Sequence, residues 1–378
     1  MSANFKVGGV DTDELFIPKS AVWQPGERNT LWSWGRNQYG QLGTGDITNR
    51  SSPVQVGTLT NWADVAVGRY HTISTKTDGS LWAWGRNSYG QLGIGNMNDR
   101  SSPVQVGTLT NWADVAGGYY HTISTKTDGS LWAWGRNEYG CLGLGDITSQ
   151  SSPVQVGTLT NWSDVAGGMY HTISTKTDGS LWAWGRNSYG QLGIGNMTDR
   201  SSPVQVGTLT NWADVAGGYY HTIATKTDGS LWTWGWNGNG QLGTGDTANH
   251  SSPVQVGTLT NWSDVAGGTY HTISTKTNGS LWAWGRNSYG QLGIGDMTDR
   301  SSPVQVGTLT NWSAVASGQY HTIATKTDGS LWTWGWNPYG QLGLGNTTHR
   351  SSPVQVGTLT NWADVAGGSV YTLAIQSI

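Results

Sequence analysis

Cysteine is almost missing from this 378-residue chain, so no disulfide can form within it. Cys141 stands alone, at a position where six equivalent segments carry glutamine. Nothing around it differs from its counterparts, so a nucleophilic or redox role is not expected. Phenylalanine occurs twice, and charged residues make up only 11% of the chain, with a net charge of −3. There is no basic stripe or tail, which argues against nucleic acid as the main partner. Long apolar runs are also missing, so membrane insertion is not expected. The opening residues, MSANFKVGGVDTDELF, lack the basic start and apolar run of a secretory signal. These absences leave the cytoplasm or an assembled particle as the expected location. Helical periodicity is found nowhere.

What the chain does have is 24 tryptophans, 15 tyrosines and 57 glycines, the glycines falling at fixed places. The phrase LWAWGRNSYGQLG at Leu81 to Gly93 recurs with small changes, starting also at Leu31, Leu131, Leu181, Leu231, Leu281 and Leu331. A period of 50 residues points to a propeller or an array rather than to separate globules. Within one repeat, Leu81 to Trp84 reads as a strand with Trp82 and Trp84 on one face. Val104 to Val106 reads as a second, with Pro103 at its entry. Asp114 to Ala116 begins a third and His121 to Thr127 makes a fourth, followed by a tight Asp128-Gly129 turn. The fold class expected is therefore all-β, a seven-bladed propeller of four-stranded blades over residues 31–378. The last copy stops where its LWxWG strand should come, and the first LWSWG has no hairpin partner before it. Leu31 to Trp34 is accordingly expected to pair with Tyr371 to Ile375 and close the ring. Residues 1–30 are not a repeat; their Leu15-Phe16-Ile17 patch reads either as a lead-in or as an anchor for self-assembly.

The combination WGxNxxGQLGxG, PVxV, VAxGxxHT and TxxGxLWxWG resembles the regulator of chromosome condensation repeat family, over all seven copies from Leu31 to Ile378. The resemblance implies a seven-bladed propeller, a fold whose members differ in function. The founding member is an exchange factor for the small GTPase Ran that uses an inserted wedge; here every repeat has the same length and no insertion. The plant ultraviolet-B photoreceptor of the family uses Trp at positions that here hold Arg69, Tyr119, Met169, Tyr219, Thr269, Gln319 and Ser369, so photoreception does not carry over. A bacterial β-lactamase inhibitor of the family binds protein through one propeller face, which needs only a suitable face.

Comparison among the repeats locates such a face. Alternating strand directions put the GTLTNW and T(D/N)GS turns at one end of the blades, called lower here, and these turns are almost invariant. Variation gathers at the upper end. After Trp-Gly stand Arg36, Arg86, Arg136, Arg186, Trp236, Arg286 and Trp336. With Arg69, Tyr119, Met169 and Tyr219 they make the candidate partner-binding face, because Arg, Trp, Tyr and Met are favoured at interfaces. Drift in exposed loops would also collect there. The invariant lower face reads as recent duplication or as a stacking surface. Six histidines from His71 to His321 read as structural, each bonded within its blade, rather than as metal ligands. Asp46, Asp99, Asp146, Asp199, Asp246, Asp296 and Asp299 read as solvated loop acids. No acid, base and nucleophile fall into a catalytic pattern. The expectation is a non-enzymatic binding or scaffold propeller without a cofactor, whose partner is a protein. The alternatives are a structural assembly protein such as a virion appendage and, more distantly, a small-GTPase regulator.

Overall fold

The computed structural model describes residues 28–378. The expectations for residues 1–27, including the Leu15-Phe16-Ile17 anchor, fall outside the described residues. Among the described residues, twenty-eight strands form seven separate four-stranded antiparallel sheets. In a representative blade the hydrogen-bonded order is Trp62–Val67, His71–Lys76, Leu81–Gly85 and Arg100–Gln105, from the central axis outward. The second and third match the expected strands, while the first begins at Trp62, two residues before the expected start at Asp64. The fourth begins earlier than Val104, at Arg100, with a bulge opposite Ala83 to Gly85. Pro103 can sit in it because this strand lies at the outer edge, where no further strand needs its missing N–H.

The strand order follows from the side chains. All six residues of His71–Lys76 are buried, as a strand with neighbours on both edges and both faces requires. The hairpin turn that follows is held by Asp78, whose Oδ1 accepts from Ser80 N at 2.9 Å and Ser80 Oγ at 2.6 Å. Gly79 has φ +75°, and a Cβ there would stand 2.2 Å from the Thr110 carbonyl oxygen of the next blade's turn. Glycine is needed at that point for both reasons.

The core lies between blades rather than inside any one of them. Ile73, Leu81 and Ala83 of one blade pack against Trp112, Val115 and Trp134 of the next. Trp112 meets Trp132 and Trp134 edge-on at 6.1 and 5.8 Å. The Trp134 indole N–H donates to the Gln91 carbonyl at 3.0 Å, and Gly93 lies against the same indole, 2.6 Å from where its Cβ would be. Each GQLG loop thus clamps the tryptophan of the following blade. Indole rings bury large areas, which explains how a chain with two phenylalanines builds seven cores.

Closure occurs as expected, and extends two residues further. Asn29–Gly35 pairs with Tyr371–Ser377, with Leu31 opposite Ile375 and Trp34 opposite Thr372. One sheet therefore holds the first two and the last two strands of the chain. Trp34 Nε1 donates to the Gln341 carbonyl at 2.9 Å, so the interblade clamp also spans the seam.

Candidate functional site: an aromatic upper face and an acidic channel

On the upper face the residues after Trp-Gly form a belt with the tyrosines of neighbouring loops. The Arg36 guanidinium lies 4.6 Å from the Tyr339 ring, Arg86 4.9 Å from Tyr39, Arg136 4.6 Å from Tyr89 and Arg186 4.9 Å from Tyr139. Arg286 sits 5.4 Å from Tyr320. Trp236 takes the same place between Tyr189 (6.5 Å) and Tyr270 (4.9 Å), and Trp336 between Tyr289 (5.6 Å) and Tyr320 (5.8 Å). Cation–π contact, worth roughly 0.5–1 kcal/mol where exposed, holds the arginines flat and partly buried. The candidates of this class are brought together in one ring.

The other candidates sit closer to the axis. Arg69 stacks over Tyr119 at 4.3 Å and Tyr70 at 4.7 Å, and donates to Tyr120 Oη at 2.5 Å. Tyr119 and Tyr219, two blades apart, meet edge-on at 5.3 Å. They lean across the upper mouth of the central channel and narrow it, with Met169 between them in the ring. Burial pushes the Tyr219 phenol up to about 12, against the opposing hydrogen bond with Tyr119. Burial raises Tyr119 further.

Below this aromatic mouth is a feature that sequence reasoning missed. Asp64, Asp114, Asp164, Asp214, Asp264 and Asp364 occupy one position of the innermost strands and ring a cavity of about 1000 Å³; in the sixth repeat Ala314 takes the place. Asp114 Oδ2 accepts from Val165 N at 3.2 Å, and Asp264 Oδ2 from Val315 N at 2.7 Å, so these carboxylates tie one blade to the next. Burial raises Asp64 to about 6. Burial, and next the charge of Asp64, raise Asp364 to about 8. The signal available in sequence was an acid kept at the third place of WxDVA, inside a strand otherwise apolar.

The histidines are structural, but their bonds run between blades, not within one. His71 Nε2 and Thr122 Oγ1 are 3.0 Å apart, and Thr122 Oγ1 donates to the Gln91 carbonyl at 2.8 Å. The hydroxyl hydrogen is thus committed, which assigns the ring proton to Nε2. The same bond recurs around the ring to His321 and Thr372 at 2.9 Å. At the seam Tyr371 replaces histidine, and its Oη donates to the His71 carbonyl at 2.6 Å. Burial pulls the imidazoles down to about 3. Among the described residues no three His, Cys, Asp or Glu side chains are grouped to hold a metal ion.

The loop acids are local staples. Asp99 Oδ1 accepts from Asn87 N at 2.7 Å, and Asp46 Oδ1 from Thr48 N at 2.9 Å. Cys141 is buried, its Sγ donating to the Arg136 carbonyl at 3.0 Å, and burial pushes its thiol up. Among the described residues no helix is long and apolar enough to cross a membrane.

Seven radial four-stranded sheets around an axial channel define a seven-bladed β-propeller. The regulator of chromosome condensation (RCC1) repeat matches residues 28–74, 78–124, 128–174, 178–225, 228–274, 278–325 and 328–375, and the chain belongs to that family. It is similar to Protein RCC2 of Mus musculus, 46% identical over 52 residues, a segment covering 13% of this chain and only 10% of the mouse protein. Among solved structures it is similar to Prp20p from Saccharomyces cerevisiae, with a TM-score of 0.84 at 22% identity, covering 95% of this chain and 92% of that one. It is similar also to human WBSCR16, with a TM-score of 0.82 at 22% identity, covering 92% and 98%. At these identities the structures attest the fold. The Prp20p work concerns binding to Gsp1p and histones.

Proposed function

We propose that this chain is a non-enzymatic protein-binding propeller whose contact surface is the upper face. The observation that carries it is the belt of Arg36, Arg86, Arg136, Arg186, Trp236, Arg286 and Trp336, pre-packed among tyrosines. Such side chains bind at low entropic cost because neighbouring rings already restrict their rotamers. Arg69, Tyr119, Met169 and Tyr219 form the centre of the same face. Family membership supports a protein partner, since Prp20p, which shares this fold, has binding properties to Gsp1p and histones. The second reading, small-GTPase regulation, rests on that family link, while the uniform repeat length gives it no wedge. The assembly reading, with residues 1–30 as anchor, draws no support from these relatives.

The test is crosslinking followed by mutation. A photoreactive residue at Arg86 or Arg186 should capture a discrete protein from the native source, and Trp236→Ala with Trp336→Ala should abolish the capture. Equal capture by that double variant rejects the upper face. Stimulated nucleotide release from a co-purified GTPase would favour the second reading.

A further inference from the structure

The lower face carries an exposed apolar ring that the upper-face reading does not use. Each GTLTNW turn presents a leucine at its tip, from Leu59 to Leu359 at 50-residue steps, and all seven are 45–50% exposed. The seven half-exposed leucines stand at equivalent positions, one per repeat, on the same end of the propeller. The hairpin turns interleave with them: Gly79 abuts Thr110, next to Leu109. The exposed charges of these turns are Asp78, Asp128, Asp178, Asp228 and Asp328. Their carboxyls are held below the usual range, first by the serine hydroxyl two residues on. The matching lysines are withdrawn. Lys76 is 6% exposed, with Nζ 3.6 Å from the Trp82 ring. What the face offers a partner is leucine and carboxylate.

The channel lining reaches down to this face, where it includes Thr227 of a hairpin turn. Its lower rim is built of small residues, Ser163, Ala213, Ser263 and Ser313, one step below the aspartate ring. Its upper mouth is the one narrowed by Arg69, Tyr119 and Tyr219. A side chain entering from below therefore meets the ring of six aspartates, of which burial biases Asp64, Asp114 and Asp364 toward the protonated form that a bound cation would reverse.

We propose that the lower face docks a protein segment carrying both apolar and cationic side chains. The leucine ring takes the apolar groups, and a lysine or arginine enters the lower mouth toward Asp64, Asp114, Asp164, Asp214, Asp264 and Asp364. Charge complementarity selects this occupant. A second copy stacked face to face would set exposed carboxylates against carboxylates. Residues 1–27 carry Asp11, Asp13, Glu14 and Glu27 against Lys6 and Lys19, a net charge of the same sign as the face.

The experiment uses the full chain and two labelled amphipathic peptides, one of leucine and lysine, the other of leucine and glutamate, read by fluorescence anisotropy. The leucine–lysine peptide should bind. Replacing Leu109, Leu159 and Leu209 by Ser should weaken it at least about tenfold. Asp114→Asn with Asp164→Asn should weaken it about fivefold and flatten its salt dependence. The leucines are half exposed, so unchanged thermal melting of the triple variant keeps the result interpretable. Equal binding of the glutamate peptide, or unchanged binding by the leucine variant, overturns the proposal. So does loss of peptide binding in the Trp236→Ala, Trp336→Ala variant, which would place the peptide on the upper face. Conversion of a wild-type dimer to a monomer by the leucine variant would assign the ring to a second copy and likewise overturn it.

Discussion

A single residue marks where this ring is sewn shut. Six blades carry histidine at the start of the second strand, and each imidazole binds a threonine of the following blade. The seventh carries Tyr371, fully buried, whose longer side chain reaches the His71 backbone carbonyl. From sequence alone Tyr371 read only as the first residue of the closing strand. In the structure it is the bond that completes a circle of interblade contacts. Tyr371→Phe keeps the ring volume and removes this donor, while the His71 carbonyl keeps the Gly68 N–H at 2.8 Å, so the loss should cost about 0.5–1.5 kcal/mol. A urea melt of the variant checks this. A midpoint equal to wild type would show that the bond contributes nothing. The variant should leave the upper-face belt unchanged, because Tyr371 touches none of its rings.

At the scale of elements, the strands and their order within a blade were legible because the alternation of large and small residues survives seven nearly equal copies. Closure was legible too, because Leu31 to Trp34 and Tyr371 to Ile375 each lacked a local partner. What could not be read was radial position. A strand pattern shows two faces, but not which of four strands borders an axis that all blades share. Asp114 therefore read as the start of an ordinary strand, and its place in a carboxylate ring emerged only when the blades were set around the channel. The histidines were misassigned for the same reason: a partner 51 residues away has no signature in one repeat. The same geometry makes the first strand costly to lose. Removing the residues before Arg36 deletes the partner of Tyr371–Ser377 and the indole that Gln341 holds. The truncated chain should melt well below the full-length one, or fail to melt cooperatively, when followed by tryptophan fluorescence. Overlapping melting curves would contradict closure by this strand.

For the whole molecule, two buried rings of opposite chemistry set how stability depends on pH. The six histidines are pulled from 6.5 to about 3. A neutral imidazole is favoured in the fold, so their contribution is complete above pH 6.5 and is lost as pH falls toward 3. The channel aspartates are displaced the other way, from 3.8 up to about 6 for Asp64 and about 8 for Asp364, with Asp114 raised as well. A protonated carboxyl is favoured there, so their contribution is complete below 3.8 and is lost as pH rises through 6 to 8. Between 3.8 and 6.5 the two rings oppose each other. Six histidines outweigh the three aspartates with raised values, so stability should still rise with pH across that interval. Above 6.5 only the aspartates act, and stability should fall until they are ionised. The expected profile is a dome with its maximum near about pH 6.5. Urea midpoints across the range would trace it. Asp64→Asn combined with Asp364→Asn should flatten the alkaline limb and leave the acid limb in place, since neither substitution touches an imidazole. A cationic side chain bound in the channel would favour the ionised carboxylates and offset the same alkaline limb. Repeating the wild-type titration with the leucine–lysine peptide should therefore raise stability most at alkaline pH, whereas equal stabilisation at every pH would show that the peptide does not reach the ring.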